Sequence, residues 1–160
     1  MWARRVASKD ELSVARILSA QPGFSWLDSN RSESLDGRYS FLAAWPVDEV
    51  RVEFGDPAPY ATLGTVVRPG GGDPPEGPRA SEVPAWIGYI AYDAFWSAPP
   101  RGEPRFARGN TPVLLFRRYS ALLAIDHESG ANWLVGDDED ACSAFEERLA
   151  GAVAADPSAP

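Results

Sequence analysis

The sequence predicts an α+β domain: a mainly antiparallel, sandwich-like β-sheet with one helix near the N-terminus and one near the C-terminus. Three observations carry this. Between residues 24 and 135 the apolar residues come in short aromatic or β-branched runs separated by Asp, Gly and Pro. No long helical segment links those runs, as a parallel sheet would require. Outside that span, residues 9–20 and 141–153 place apolar side chains at helical spacing. The expected order is helix, seven or eight strands joined by hairpin-like turns, helix.

Ser8-Lys9-Asp10-Glu11 has the pattern of a capping box, with Ser8 accepting from the amide three residues on and Glu11 reaching back. Leu12, Ile17 and Leu18 then share a face, and Pro22-Gly23 ends the run, which predicts a helix from about Lys9 to Ala20. Strands are expected at 24–28, 38–45, 48–54 and 60–67. In the third, Val50, Val52 and Phe54 alternate with Arg51 and Glu53, as in a strand with one wet face. Residues 68–84 hold five of the fifteen prolines and four glycines, which predicts a flexible surface loop. Gly70-Gly71-Gly72 lacks the Lys-Ser/Thr or G-x-G-x-x-G company of a phosphate cradle.

Strands are expected again at 85–95 and 112–127. Gly88 inside the first implies a close backbone approach or a bulge, and Trp86, Tyr89 and Tyr92 read as an aromatic core strand. The second is long and should break near Arg117-Arg118. His127 to Gly130 form a turn, with 131–135 returning as a hairpin partner. Asp137-Asp138-Glu139-Asp140 open the last helix, where acids suit the positive end of the dipole. Ala141, Phe145, Leu149 and Val153 are its apolar stripe. Residues 1–155 are read as one domain and 156–160 as a frayed tail.

Charge and composition restrict the function. With 160 residues and 44% hydrophobic content the chain can bury a core. Its 23 acidic against 15 basic residues, net charge −8, argue against nucleic-acid and anionic-membrane partners. No stretch approaches the roughly 20 apolar residues of a membrane span, and the first residues lack a signal-peptide core. The single cysteine, Cys142, fits a reducing compartment, so the expected location is the cytoplasm. One Cys and one His do not make a zinc site, and the carboxylates lack calcium-loop spacing. Asp126-His127 has two members of a nucleophilic triad, but no G-x-S-x-G elbow accompanies it, and the pair reads as strand-end turn chemistry. The residues taken alone describe a binding or accessory domain.

Three segments together point further. They are Leu27-Asp28-Ser29 followed, after a polar gap at 30–37, by Arg38-Tyr39-Ser40-Phe41-Leu42; Gly88-Tyr89 with Tyr92-Asp93; and Tyr119 through His127. In this order the chain, over about residues 10–150, resembles the N-terminal domain of the large subunit of chorismate-utilising enzymes. These are aminodeoxychorismate synthase component I and anthranilate synthase component I. It departs from that pattern at Ala43-Ala44 and Ala85-Trp86, where the family often has Gly, and at Ala94-Phe95-Trp96, where Arg and Glu often follow Tyr-Asp.

The resemblance implies no catalytic residue here, because chorismate and magnesium bind in a C-terminal catalytic domain whose motifs do not occur in this sequence. Magnesium is expected only in that missing domain, and no cofactor in this chain, which would be a truncated piece, a remnant or one part of a split enzyme. The resemblance also implies a tryptophan-type effector pocket at Leu27, Asp28, Ser29, Tyr39, Ser40 and Phe41. An indole needs an apolar slot there, and its charged ends need hydroxyls, backbone groups or an acid. Two partners follow: the chorismate-binding catalytic domain or subunit and, through it, a glutamine amidotransferase subunit. The hairpin of residues 125–136 favours the para-aminobenzoate and folate branch over tryptophan biosynthesis. Rival readings are a stand-alone small-molecule sensor and a hydrolase using Asp126-His127.

Overall fold

The computed structural model of the chain describes residues 1–7, 10–29, 37–56, 58, 60–66, 72–92, 94 and 111–155. These form eight strands and two α-helices: β1 (Trp2–Val6), α1 (Glu11–Ser19), β2 (Ser25–Leu27), β3 (Tyr39–Ala43), β4 (Asp48–Val52), β5 (Trp86–Ile90), β6 (Leu114–Arg118), β7 (Ala121–Asp126), β8 (Ala131–Gly136) and α2 (Glu139–Ala155). Five strands make one sheet in the order β1-β8-β7-β3-β2, and three make a second in the order β4-β6-β5. Every pairing is antiparallel. The α+β class with a helix near each end is what the sequence predicts.

Strand alternation sorts the core into two faces of the larger sheet. Leu42, Leu123, Ile125 and Leu134 meet Val14, Ala15 and Leu18 of α1 and Cys142, Phe145 and Leu149 of α2. On the opposite face Tyr39, Phe41, Ala43, Leu122, Ala124 and Val135 meet Val83 and Ile87. The smaller sheet has its own cluster, with Val52, Val113, Leu114 and Ala94. Among the described residues no helix is long and apolar enough to cross a membrane.

Several local expectations change. β1 was not foreseen, since two arginines interrupt its apolar residues. It is nevertheless an edge strand in register with β8, from Trp2 opposite Gly136 to Val6 opposite Asn132. Trp2 and Val6 pack on the helical side, and Arg4 pairs with Glu146 of α2, so charge on this edge is accommodated. The α1 cap is Asp10, whose carboxylate accepts from the Ser13 amide at 2.8 Å. Ser8 lies outside the described residues. Glu11, expected to complete the box, instead accepts from the Trp26 indole at 3.2 Å. Leu12 is 67% exposed, and the buried stripe is Val14, Ala15 and Leu18.

Within the strand expected at 60–67 the chain forms a 3-10 helix, Ala61–Thr65, and residue 67 lies outside the described residues. Residues 72–84 of the expected surface loop are mostly exposed but anchored at a few points. Pro78 and Val83 are buried, and Gly77, with φ +92°, lies so close to the Trp133 ring that a Cβ would come within 2.7 Å of it. Residues 68–71 lie outside the described set.

β5 is not an aromatic core strand. Ile87 is its buried residue, while Tyr89, Ile90 and Tyr92 are exposed. Gly88 does mark a close backbone approach, since a Cβ there would collide with the Leu115 carbonyl and come within 2.6 Å of the Phe116 Cα. The long segment 112–127 breaks into β6 and β7 one residue past Arg118, so the chain passes from one sheet to the other at Tyr119-Ser120. The opposite passage, from β3 to β4, turns at Trp45. This residue has φ 58°, and among the described residues it is the one non-glycine with positive φ. Its amide donates to the Pro22 carbonyl at 2.8 Å and its ring meets Phe145 edge-on at 5.4 Å, which holds the unfavourable backbone in place.

Candidate functional site

β2 is short, and both of its ends are tied by side chains from distant segments. At its start the Tyr119 hydroxyl donates to the Gly23 carbonyl at 2.6 Å, which leaves Ser25 Oγ to donate to the Tyr119 oxygen, also at 2.6 Å. Burial, offset in part by the Ser25 bond, raises the Tyr119 pKa, so the phenol stays protonated and able to donate. Beyond its end the Ser29 amide donates to Ser40 Oγ at 3.0 Å and the Ser29 hydroxyl donates to the Gly37 carbonyl at 3.0 Å.

Ser40 is the centre of this end. It lies on β3 opposite Ile125 and is 0% exposed. Its hydroxyl oxygen is 2.8 Å from His127 Nε2, 3.2 Å from the Ser29 carbonyl and 3.3 Å from Asp28 Oδ1. A serine hydroxyl has one proton to give, so these three acceptors compete for it, and the imidazole competes only when Nε2 carries no proton.

A second network stands beside the first. Arg38 grips Asp126 through Nε–Oδ1 at 3.0 Å and Nη2–Oδ2 at 2.7 Å, and its Nη1 reaches Glu128 at 3.2 Å. Asp126 also accepts from Ser129 Oγ at 2.8 Å and the Glu128 amide at 3.0 Å, which fixes the β7–β8 turn. Burial alone would raise the Asp126 carboxyl, but these hydrogen bonds, led by Arg38, outweigh it and hold the pKa down to about 2. The same bond raises the Arg38 value. The networks join through the backbone, where the His127 amide donates to the Arg38 carbonyl at 2.9 Å.

The six residues mapped from the resemblance divide. Asp28, Ser29 and Ser40 are hydrogen-bonded together, with Asp28 exposed and Ser29 half-buried. Leu27 pairs across the ladder with Phe41 and is 43% exposed. Tyr39 and Phe41 point to the other face of the sheet, buried with ring centroids 6.0 Å apart. Burial is also the first cause of a raised Tyr39 pKa, and Arg38 lies over its ring at 4.9 Å. The surface this region presents is therefore Leu27, Asp28 and Ser29.

Ser40 and His127, with carboxylates nearby, have the contents of a hydrolytic triad, but the arrangement is not one. Ser40 is wholly enclosed, and Asp126 spends its oxygens on Arg38 and the turn. Asp126 behaves as the turn residue the sequence suggested. His127 does more than a turn requires, and neither its bond to Ser40 nor the Arg38 clamp is foreseen. Their signal lies in the β3–β7 register, Tyr39 opposite Asp126, which local pattern does not reveal. Among the described residues no three His, Cys, Asp or Glu side chains are grouped to hold a metal ion.

No protein-family model matches the chain, and no curated protein matches it.

Proposed function

We propose that this chain is an accessory, N-terminal-type domain of a chorismate-aminating large subunit of the aminodeoxychorismate synthase kind, which does no chemistry alone. The observation that supports this is the meeting of two of the motif segments behind the resemblance. The Ser29–Ser40 bond ties Leu27-Asp28-Ser29 to Arg38–Leu42, and the Ser40–His127 bond joins these to Tyr119–His127, between residues 11 and 87 positions apart respectively. Residues so distant in sequence that depend on one another in space are what a shared motif set leads one to expect.

In this reading Leu27, Asp28 and Ser29 form one wall of an effector pocket. Leu27 offers apolar surface to an indole, and the Asp28 carboxylate offers an acceptor to an ammonium group. One wall buries too little of a small ligand for tight binding, so the second wall belongs to the catalytic domain. The docking surface includes the exposed Tyr89, Ile90 and Tyr92, which continue the second sequence motif. Titration calorimetry with tryptophan tests the arrangement. The expected result is no measurable heat with the chain alone and binding once a chorismate-binding catalytic domain is added. Clear binding by the chain alone would replace this reading with that of a small-molecule sensor.

A further inference from the structure

We infer that Tyr119 is a positioning residue whose phenol ties the start of β2 to the junction between the two sheets. The consequence for an effector, which rests on the proposed function, is that sensitivity through Leu27, Asp28 and Ser29 depends on this tie.

β2 is three residues long and, among the described residues, pairs with β3 alone. So short an edge strand is weakly placed by its ladder. Its middle and end have side-chain supports in the Trp26–Glu11 and Ser29–Ser40 bonds. The start is held by Tyr119. The chain enters β2 through Gly23, at φ 66°, where a Cβ would collide with the Pro46 ring. From 96 positions away the Tyr119 hydroxyl donates to the Gly23 carbonyl, and from 94 positions away it accepts from Ser25 Oγ. One phenol oxygen thus fixes the backbone before Phe24 and the side chain after it, giving its single proton to one and a lone pair to the other. Tyr119 is 4% exposed, so water does not readily replace these bonds.

Tyr119 is itself fixed by both sheets. It follows Arg118, the last residue of β6, and stands two residues before β7. Its side chain is buried in the cluster that includes Ala43 and Leu122. The other passage between the sheets holds the same segment, since the Trp45 amide donates to the Pro22 carbonyl. Residues 22–25 are therefore clasped where both connections cross, and the course of β2 toward Leu27 is set there. A wall fixed before a ligand arrives loses less freedom on binding, which is how a residue remote from the ligand raises affinity.

Amide hydrogen exchange of the full chain, followed by nuclear magnetic resonance, tests the tie. Tyr119→Phe keeps the ring and removes the hydroxyl. The β2 amides should then exchange about tenfold faster relative to those of β7 and β8, as expected for local loss of one or two hydrogen bonds. Ser25→Ala, which removes one of the two bonds, should give a smaller increase at the same amides. In a complex with a chorismate-binding catalytic domain, Tyr119→Phe should raise the tryptophan concentration for half-maximal inhibition about tenfold and leave turnover without tryptophan unchanged. β2 amides that exchange as in wild type in both variants, or an increase shared equally by all strands, would overturn the tie. A wild-type complex indifferent to tryptophan would overturn the proposed function and the effector consequence, while the exchange data still decide the tie. A tryptophan-sensitive complex whose midpoint ignores Tyr119→Phe would overturn the effector consequence alone.

Discussion

Replacing Asp126 with Ala should be among the most damaging single changes in the domain. The carboxylate is 2% exposed and receives two bonds from Arg38, one from the Ser129 hydroxyl and one from the Glu128 amide. Removing one member of a buried pair costs about 3–5 kcal/mol. The Arg38 side chain is 32% exposed and keeps part of its hydration, so about 3 kcal/mol is the appropriate figure. At this chain length that lowers the melting temperature by about 6–12 °C, which calorimetry or circular dichroism reads directly. Replacing both partners by apolar residues, Arg38→Met with Asp126→Leu, should recover part of the loss, because no buried charge is then left unpaired.

The same carboxylate predicts an acid transition. Its ordinary value of 3.8 falls to about 2 in the fold, a difference equivalent to about 2 kcal/mol. Because the folded pKa is the lower one, this contribution is complete above the unfolded value. It is lost as pH falls from about 4 toward about 2. Wild-type protein should therefore lose more stability over that interval than Asp126→Asn. Equal losses, or a melting temperature within a degree of wild type for Asp126→Ala, would refute the reasoning.

Other outcomes follow from the packing. Gly88→Ala places a methyl against the backbone of β6 at Leu115 and Phe116, and should cost at least about 2 kcal/mol or prevent folding in a denaturation assay. Leu18→Ala, at a side chain with no exposure, should cost about 2–5 kcal/mol, while Leu12→Ala, on the exposed side of the same helix, should stay within about 0.5 kcal/mol. Asp10→Ala removes the α1 cap and should lower stability in the same measurement. Cys142 is enclosed between α2 and the sheet, and burial pushes its thiol up to about 12. It should resist a thiol reagent in the native protein and react once the protein is unfolded in urea.

The parts of the fold that follow from local pattern were legible. α2 shows its stripe at Phe145, Leu149 and Val153, the β7–β8 hairpin shows its turn, and Gly88 shows the close approach of β5 to β6. The parts set by non-local pairing were not. β1 exists because β8 offers it an open edge, although Arg4 and Arg5 break its apolar run. Residues 61–65 have strand-like composition but form a 3-10 helix. The anchoring of residues 72–84 lies in non-local contacts, Gly77 against the Trp133 ring and Val83 against one face of the larger sheet, which composition does not reveal. At the candidate site Ser29 and Ser40 were marked by motif, whereas the roles of Arg38 and His127 depend on β3 and β7 lying side by side. The Leu27–Phe41 set could not be sorted into surface and core until strand alternation put Tyr39 and Phe41 opposite Ser40.

The accessory-domain reading is tested most directly by following chorismate consumption with ammonium and magnesium present. The purified chain would be assayed alone and mixed with a chorismate-binding catalytic domain encoded in the same or a neighbouring reading frame. The reading predicts no turnover by the chain alone, and a complex with the catalytic domain whose turnover becomes sensitive to tryptophan through Leu27, Asp28 and Ser29. Chorismate turnover by the chain alone, or the absence of any complex, would contradict it.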